Sequence, residues 1–343
     1  VVRDSPVDFT NAAGELSDVE TLNIRSNTSD SALVFNDQVT GVETIISNAS
    51  SRDLDVSGIQ SEVALEMGGR QGRIDNSNNA DNSEFTVSFA DGVASGIDTL
   101  DVTLNGLRGT AATDSSGAQG FGELAVNDDV STVNLDSTGG FGNRLAELSG
   151  NGSLNELVAT GGRDLTIDQL GENITTVDAT GGANADQLTG DLVLRDVTAE
   201  LADESGASLA ITGGTGNDFV EIGDALTANG LGGSFDGTVT LDGNNGNDAL
   251  LLNADDSSGN FRSLIDQDNV TIQSMESVLI TVNSTDLLEF DMSNLEGTTD
   301  FGFASDVTNN DVTANAENLT EDFSLTFNSP SNDLGAVTVN NID

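Results

Sequence analysis

The chain has 343 residues, with 58 acidic side chains against 10 basic ones, a formal net charge of −48, and no cysteine, histidine, tryptophan or tyrosine. Every basic residue is arginine, so the chain lacks the clustered cations that nucleic acid or an anionic lipid surface requires. Without histidine or cysteine, thiolate and imidazole metal sites and most acid–base catalysis near neutral pH are excluded. Oxygen donors remain, the set that suits calcium.

From the N-terminus, the opening Val1-Val2-Arg3 and the closing "VNNID" read as the ends of an interior or processed piece. Apolar residues fall in short alternating runs rich in Val, Ile, Leu and Thr. No stretch has convincing helical periodicity, and no apolar run is long enough to span a membrane. One strand pattern recurs as "VETLNI" (19–24), "VETIIS" (42–47), "IDTLDV" (97–102), "VSTVNL" (130–135), "ITTVDA" (174–179) and "MESVLI" (275–280), with "LNELVA" (154–159) as a degenerate copy. A second pattern appears as "RDLDVSGI" (52–59) and "RDLTIDQL" (163–170), with a looser echo in "TDLLEFDMSNL" (285–295).

A unit of roughly 20–30 residues holding two or three short strands is the size of one coil of a β-solenoid, whose stacking buries a continuous core. The expected fold is all-β, an elongated right-handed parallel β-solenoid of β-roll-like type. Tandem antiparallel β-sandwich domains are the alternative, with Asn105-Gly106 as a hairpin turn. The expected organisation is an irregular β-repeat region over 1–120, a solenoid with glycine turns over 121–255, and a C-terminal β region over 256–343.

Glycine turns punctuate the second of these regions. "GGANADQLT" runs over 181–189, "GGTGNDFVE" over 213–221 and "GNNGNDALL" over 243–251; "GGFGNRLAE" over 139–147 puts Arg144 where the others have aspartate. Glycines let backbone carbonyls point at a small cation, and the aspartate adds a carboxylate. One turn offers too few oxygens for calcium, whereas two turns stacked on adjacent coils offer enough. The candidate ligand positions are Gly181, Asn184 and Asp186; Gly213, Thr215, Gly216 and Asp218; and Gly243, Asn245, Gly246 and Asp248. No ion is expected beside Arg144. A further candidate loop is "LNADDSSGN" (252–260). Adjacent acid pairs such as Asp128-Asp129 and Asp203-Glu204 read as solvated surface.

"GGTGNDFVE" resembles the RTX (hemolysin-type) nonapeptide at every position, and the turns at 181 and 243 each depart from it at one glycine. Spaced about 30 residues apart rather than in tandem, and joined to these strand patterns, they resemble bacterial S-layer proteins of the Caulobacter type and large RTX adhesins. The resemblance implies calcium-dependent folding at the cell surface, type I export, and assembly into a lattice or filament. It also implies a homo-oligomer with a cell-surface polysaccharide as a candidate anchor, and a structural rather than enzymatic role. The alternative is the repeat region of an adhesin that binds glycans or another cell.

Overall fold

In the computed structural model, the residues described are 7–8, 19–26, 30–35, 41–50, 52–69, 73–74, 80–81, 83–90, 97–108, 121–127, 130–181, 186–197, 208–222, 238–254, 270–282, 288–291, 295–305, 314–317, 324–328 and 337–339. Two large sheets organise them. A 13-stranded sheet runs in chain order from Val7–Asp8 to Ser324–Asn328, and an 11-stranded sheet runs from Thr21–Ile24 to Leu295–Glu296. Strands alternate between the two. Thr132–Thr138 lies in the 11-stranded sheet, Asn143–Gly150 in the 13-stranded one, then Glu156–Gly161 and Leu165–Leu170 repeat the step.

Pairing between successive coils is parallel and in register, as in Thr132–Thr138 on Glu156–Gly161 and Asn143–Gly150 on Leu165–Leu170. The chain is therefore a parallel β-solenoid in which each coil gives one strand to each sheet. Antiparallel pairing among the described residues is confined to Arg73–Ile74 with Ala80–Asp81 and one bridge, Thr160 with Gln187. Asn105-Gly106 does not close a hairpin. Gly106 takes φ +64°, but the chain runs on, and Arg108 bridges Arg144 in parallel.

The sequence patterns sort by sheet. "VETLNI", "VETIIS", "IDTLDV", "VSTVNL", "LNELVA" and "ITTVDA" feed the 11-stranded sheet, while "RDLDVSGI" and "RDLTIDQL" feed the 13-stranded one. "MESVLI" is the exception: Ser277–Val282 belongs to the 13-stranded sheet. The echo at 285–295 enters a separate three-stranded parallel sheet through Leu288–Asp291. Both large sheets run through residues 120 and 255, since Thr99–Asn105 pairs with Thr132–Thr138 and Ala249–Ala254 with Ser277–Val282.

Alternation puts one side of every strand inward, and register stacks like on like. Leu100, Val133, Leu157, Val177, Ile211, Leu241 and Ile272 form one buried column. Facing it, Leu145, Ile167, Leu194, Val220, Leu250, Val278 and Phe301 form another. These columns make one continuous apolar core and fix the height of each coil, and so the place of each corner between sheets.

Candidate metal centre

Two corners share the same length. Gly213 to Asp218 joins Ser208–Thr212 to Phe219–Ile222, and Gly243 to Asp248 joins Thr238–Asp242 to Ala249–Ala254. The ladder of the 11-stranded sheet continues into them: Gly213 N donates to Asp242 O at 2.8 Å and Gly243 N to Gln273 O at 3.1 Å. The first glycine is required for space. A Cβ on Gly213 would overlap Asp218 Oδ2 and stand 2.5 Å from the Gly243 carbonyl oxygen. One on Gly243 would overlap the Ser274 carbonyl oxygen and stand 2.6 Å from Asp248 Oδ2. Each niche thus gathers a carboxylate oxygen of its own turn and a carbonyl oxygen of the next coil.

The carboxylates also stitch coils together. Asp218 is 2% exposed; its Oδ1 accepts Leu192 N at 2.7 Å and its Oδ2 accepts Gly214 N at 2.7 Å. Asp248 is 1% exposed, and its Oδ1 accepts Asp218 N at 2.7 Å. Glu276 Oε2 accepts Asp248 N at 2.7 Å. In this column each side chain caps the backbone of the preceding coil. The column one residue earlier runs the opposite way: Asp164 Oδ1 accepts Asp191 N at 3.1 Å, Asp191 Oδ1 accepts Asn217 N at 2.7 Å, and Asn217 Oδ1 accepts Asn247 N at 3.0 Å. The Asn-Asp pair of "GGTGNDFVE" therefore caps one coil on each side. Sequence reasoning missed Asp164, Asp191, Asn217 and Glu276; an acid directly before a strand of the 13-stranded sheet is the signal that identifies Asp164, Asp191 and Glu276.

The two equal corners differ at one residue. The counterpart of Gly214 is Asn244, whose φ is +67° and whose N–H donates to Asp242 Oδ1 at 2.9 Å. Asp248 consequently loses the donor that Asp218 enjoys. Its Oδ2 is buried without a hydrogen-bond partner, beside the Ser274 carbonyl oxygen. Burial raises both carboxyls. Asp218 is raised despite the N–H groups of Leu192 and Gly214. Asp248 rises to about 6, chiefly through burial, partly offset by the Asp218 N–H and reinforced by the charges of Asp218, Glu276 and Asp191.

The other expected ligand positions are dispersed. Thr215 N donates to Leu188 O at 3.0 Å; Asn245 is exposed and its amide donates to Asn244 Oδ1 at 3.1 Å. A Cβ on Gly216 would stand 2.5 Å from the Gly190 carbonyl oxygen, while Gly246 is exposed with φ +155° and packs on the Gly216 carbonyl. Gly181 is buried with φ +85°. Asp186 is exposed and stands outside the Asp218–Asp248 column, whose place one coil earlier is taken by Leu192. Asn184 lies outside the described residues, as do 255–260 of "LNADDSSGN" and the acid pairs Asp128-Asp129 and Asp203-Glu204. Arg144 does not occupy the aspartate's place. Register puts it in the column of Thr166, Val193 and Phe219, and Asn143 stands in the column of Asp218. Asn143 Oδ1 accepts Leu107 N at 2.6 Å, while its Nδ2 donates to Ser137 Oγ and the Thr138 carbonyl, both at 2.9 Å.

A cation fits the Asp248 niche chemically, because a carboxylate oxygen without a hydrogen-bond partner and a backbone carbonyl oxygen both line it. Among the described residues no three of His, Cys, Asp and Glu cluster closely enough to hold a metal by side chains alone. Backbone carbonyls such as that of Ser274 would have to complete the donor set. The fold and corner define a two-sheet parallel β-solenoid with carboxylate-stitched turns. Compared with known proteins, the chain matches no family model, no curated protein and no solved structure.

Proposed function

We propose that this protein is a structural, non-catalytic subunit of an extracellular surface layer or filament, and that calcium stabilises its solenoid at the corner of Asp218, Asp248 and Glu276. The observation that carries the reading is the buried, partnerless Asp248 Oδ2 beside the Ser274 carbonyl oxygen. An unpaired buried carboxylate is costly, and an oxygen-seeking cation removes that cost. Asp248 Oδ2 and the Ser274 carbonyl would hold the ion. Calcium would supply positive charge there, while Asp218 and Glu276 keep the neighbouring coils in register through their N–H bonds. A net charge of −48 disfavours compaction where calcium is scarce, and an ion that binds only the folded chain stabilises it by mass action.

The test is thermal unfolding of the full chain with millimolar calcium or with excess EGTA, followed by circular dichroism and light scattering. Calcium is expected to raise the melting temperature and to be needed for large assemblies. An unchanged melting temperature and particle size in EGTA would overturn the reading.

A further inference from the structure

Arginine is scarce in this chain, and its placement is uneven. Arg108, Arg144, Arg163 and Arg195 stand on four successive coils, along one corner and the adjoining outer face of the 13-stranded sheet. Arg108 and Arg144 are backbone neighbours across coils. The Arg108 guanidinium carbon lies 4.4 Å from the centre of the Phe141 ring, and Phe141 is 62% exposed. Arg144 forms a two-pronged bond to Asp168, Nε to Oδ2 at 2.6 Å and Nη2 to Oδ1 at 2.8 Å. Arg195 Nε is 3.8 Å from the same carboxylate, and its guanidinium carbon is 5.8 Å from the Phe219 ring centre. Arg163 Nε donates to Gly139 O at 2.8 Å. Among the described residues, neither Arg108 nor Arg163 has an ion pair.

The opposite side of the molecule is the reverse. No strand of the 11-stranded sheet contains an arginine. Register puts Asp101, Asp178, Asp242 and Glu296 in a single column of that sheet, with Glu66 and Asp136 in the column beside it. Their strand neighbours Leu100, Val102, Val177 and Leu241 are buried, so this acidic column faces outward. Two of its carboxylates accept from amides, Asp101 from Asn134 Nδ2 at 2.8 Å and Asp242 from Gln273 Nε2 at 2.6 Å, which holds them in place.

We infer that the Arg108–Phe141–Arg163–Arg195 edge docks the acidic outer face of the 11-stranded sheet of a second copy of this chain. Coils in both sheets are stacked about 4.8 Å apart, and the acids of that column stand two or three coils apart, with Asn134, Val158, Thr212 and Gln273 between them, so the two surfaces complement each other in overall charge along the stack. Arginine stacked on an exposed aromatic ring is the composition of an interface anchor. The two faces differ, so the contact is head-to-tail and leaves each copy with one free edge and one free face. That arrangement extends into a filament or sheet rather than closing on a dimer. The inference rests on the structural-subunit reading and gives it a contact surface.

The test uses two charge-reversed full-length variants, Arg108→Glu/Arg163→Glu and Asp101→Arg/Asp178→Arg, and a third carrying all four changes. Circular dichroism and calcium-dependent melting are measured first, so that a folding or calcium failure is seen separately from an assembly failure. Sedimentation in calcium is then expected to show association weakened roughly tenfold or more in each two-residue variant. The four-residue variant should regain association. An equimolar mixture of the two-residue variants should also regain extended association, because the edge of each is complementary in charge to the face of the other. Wild-type-like assembly of Arg108→Glu/Arg163→Glu with an unchanged calcium response would overturn the docking surface and leave the calcium reading standing. A wild-type chain that stays monomeric and instead binds immobilised polygalacturonate through these arginines would also overturn it, in favour of an acidic polysaccharide.

Discussion

Gly214 and Asn244 stand at the same place in successive corners, yet their N–H groups serve different carboxylates: Gly214 donates to Asp218 Oδ2 at 2.7 Å, and Asn244 to Asp242 Oδ1 at 2.9 Å. Asn244 reaches its partner by taking φ +67°, and Asp248 Oδ2 is left without a donor. Asn244→Gly frees the backbone to adopt the geometry of the preceding corner and return an N–H to Asp248. The expected result is a calcium-free protein whose stability changes by less than about 1 kcal/mol, the regained bond to Asp248 offsetting the added chain entropy of glycine and the lost bond from Asn244 Nδ2 to the Gly214 carbonyl oxygen at 3.0 Å. Its melting temperature should also respond less to calcium. Urea unfolding in EGTA measures the first effect, and calcium titration of the melting temperature the second.

The raised Asp248 carboxyl gives the calcium-free protein a pH dependence of definite sign. Its folded value is about 6 against an ordinary 3.8, so the folded state holds the proton more tightly than the unfolded chain. The stability this contributes is complete below about pH 4 and lost as pH rises through about 6. Burial raises Asp53, Asp55, Asp136, Glu147 and Asp218 as well, so their contributions run the same way. Asp248→Asn removes its own share. It should be more stable than the parent near pH 7 in EGTA, with a flatter profile between pH 4 and 7. Identical pH profiles for the two proteins would refute the assignment.

Two strand patterns, alternation and corner glycines were enough to read a stacked solenoid from the sequence, because each is a local consequence of one strand or one turn. The pairing of corners was less legible. "GGFGNRLAE" aligns Arg144 with the aspartate of "GGTGNDFVE", but backbone register brings Asn143 to that place instead. In the coil before Asp218, Leu192 takes the position rather than Asp186, because the chain travels further between sheets there. Glu276 joins the column from "SMES", a corner without glycine, since its longer side chain still reaches Asp248 N. Caps between residues 26 to 30 apart depend on loop length and coil height, which no single nonapeptide encodes.

Glycines within this solenoid differ sharply in what they tolerate. A Cβ on Gly243 would overlap the Ser274 carbonyl oxygen, whereas one on Gly140 meets nothing within 4 Å. The neighbour of Gly243 is backbone held by Ser274 N donating to Glu296 O at 2.9 Å, so it cannot swing aside as a side chain would. Gly243→Ala should cost on the order of 3 kcal/mol or more, while Gly140→Ala should be neutral or stabilising by up to about 1 kcal/mol. Equilibrium urea unfolding of the two variants in parallel checks the contrast, and an equal effect at both positions would contradict the corner geometry.

Asn143 shows how a neutral amide resolves what Asp248 leaves open. Its Oδ1 caps Leu107 N, as Asp218 caps Leu192 N, and its Nδ2 donates to Ser137 Oγ and the Thr138 carbonyl. Asn143→Asp keeps the cap but turns a donor into an acceptor facing that carbonyl. The cost in EGTA should be about 2–3 kcal/mol, the penalty for a buried polar group set against a like partner. If carboxylate-plus-carbonyl niches recruit calcium, added calcium should recover part of that loss in Asn143→Asp and none of it in Asn143→Ala, which lacks the new oxygen. Melting temperatures of the two variants across a calcium titration separate these outcomes. Equal responses would show that the variant's new niche does not take the ion, and would weaken the same reading for Asp248.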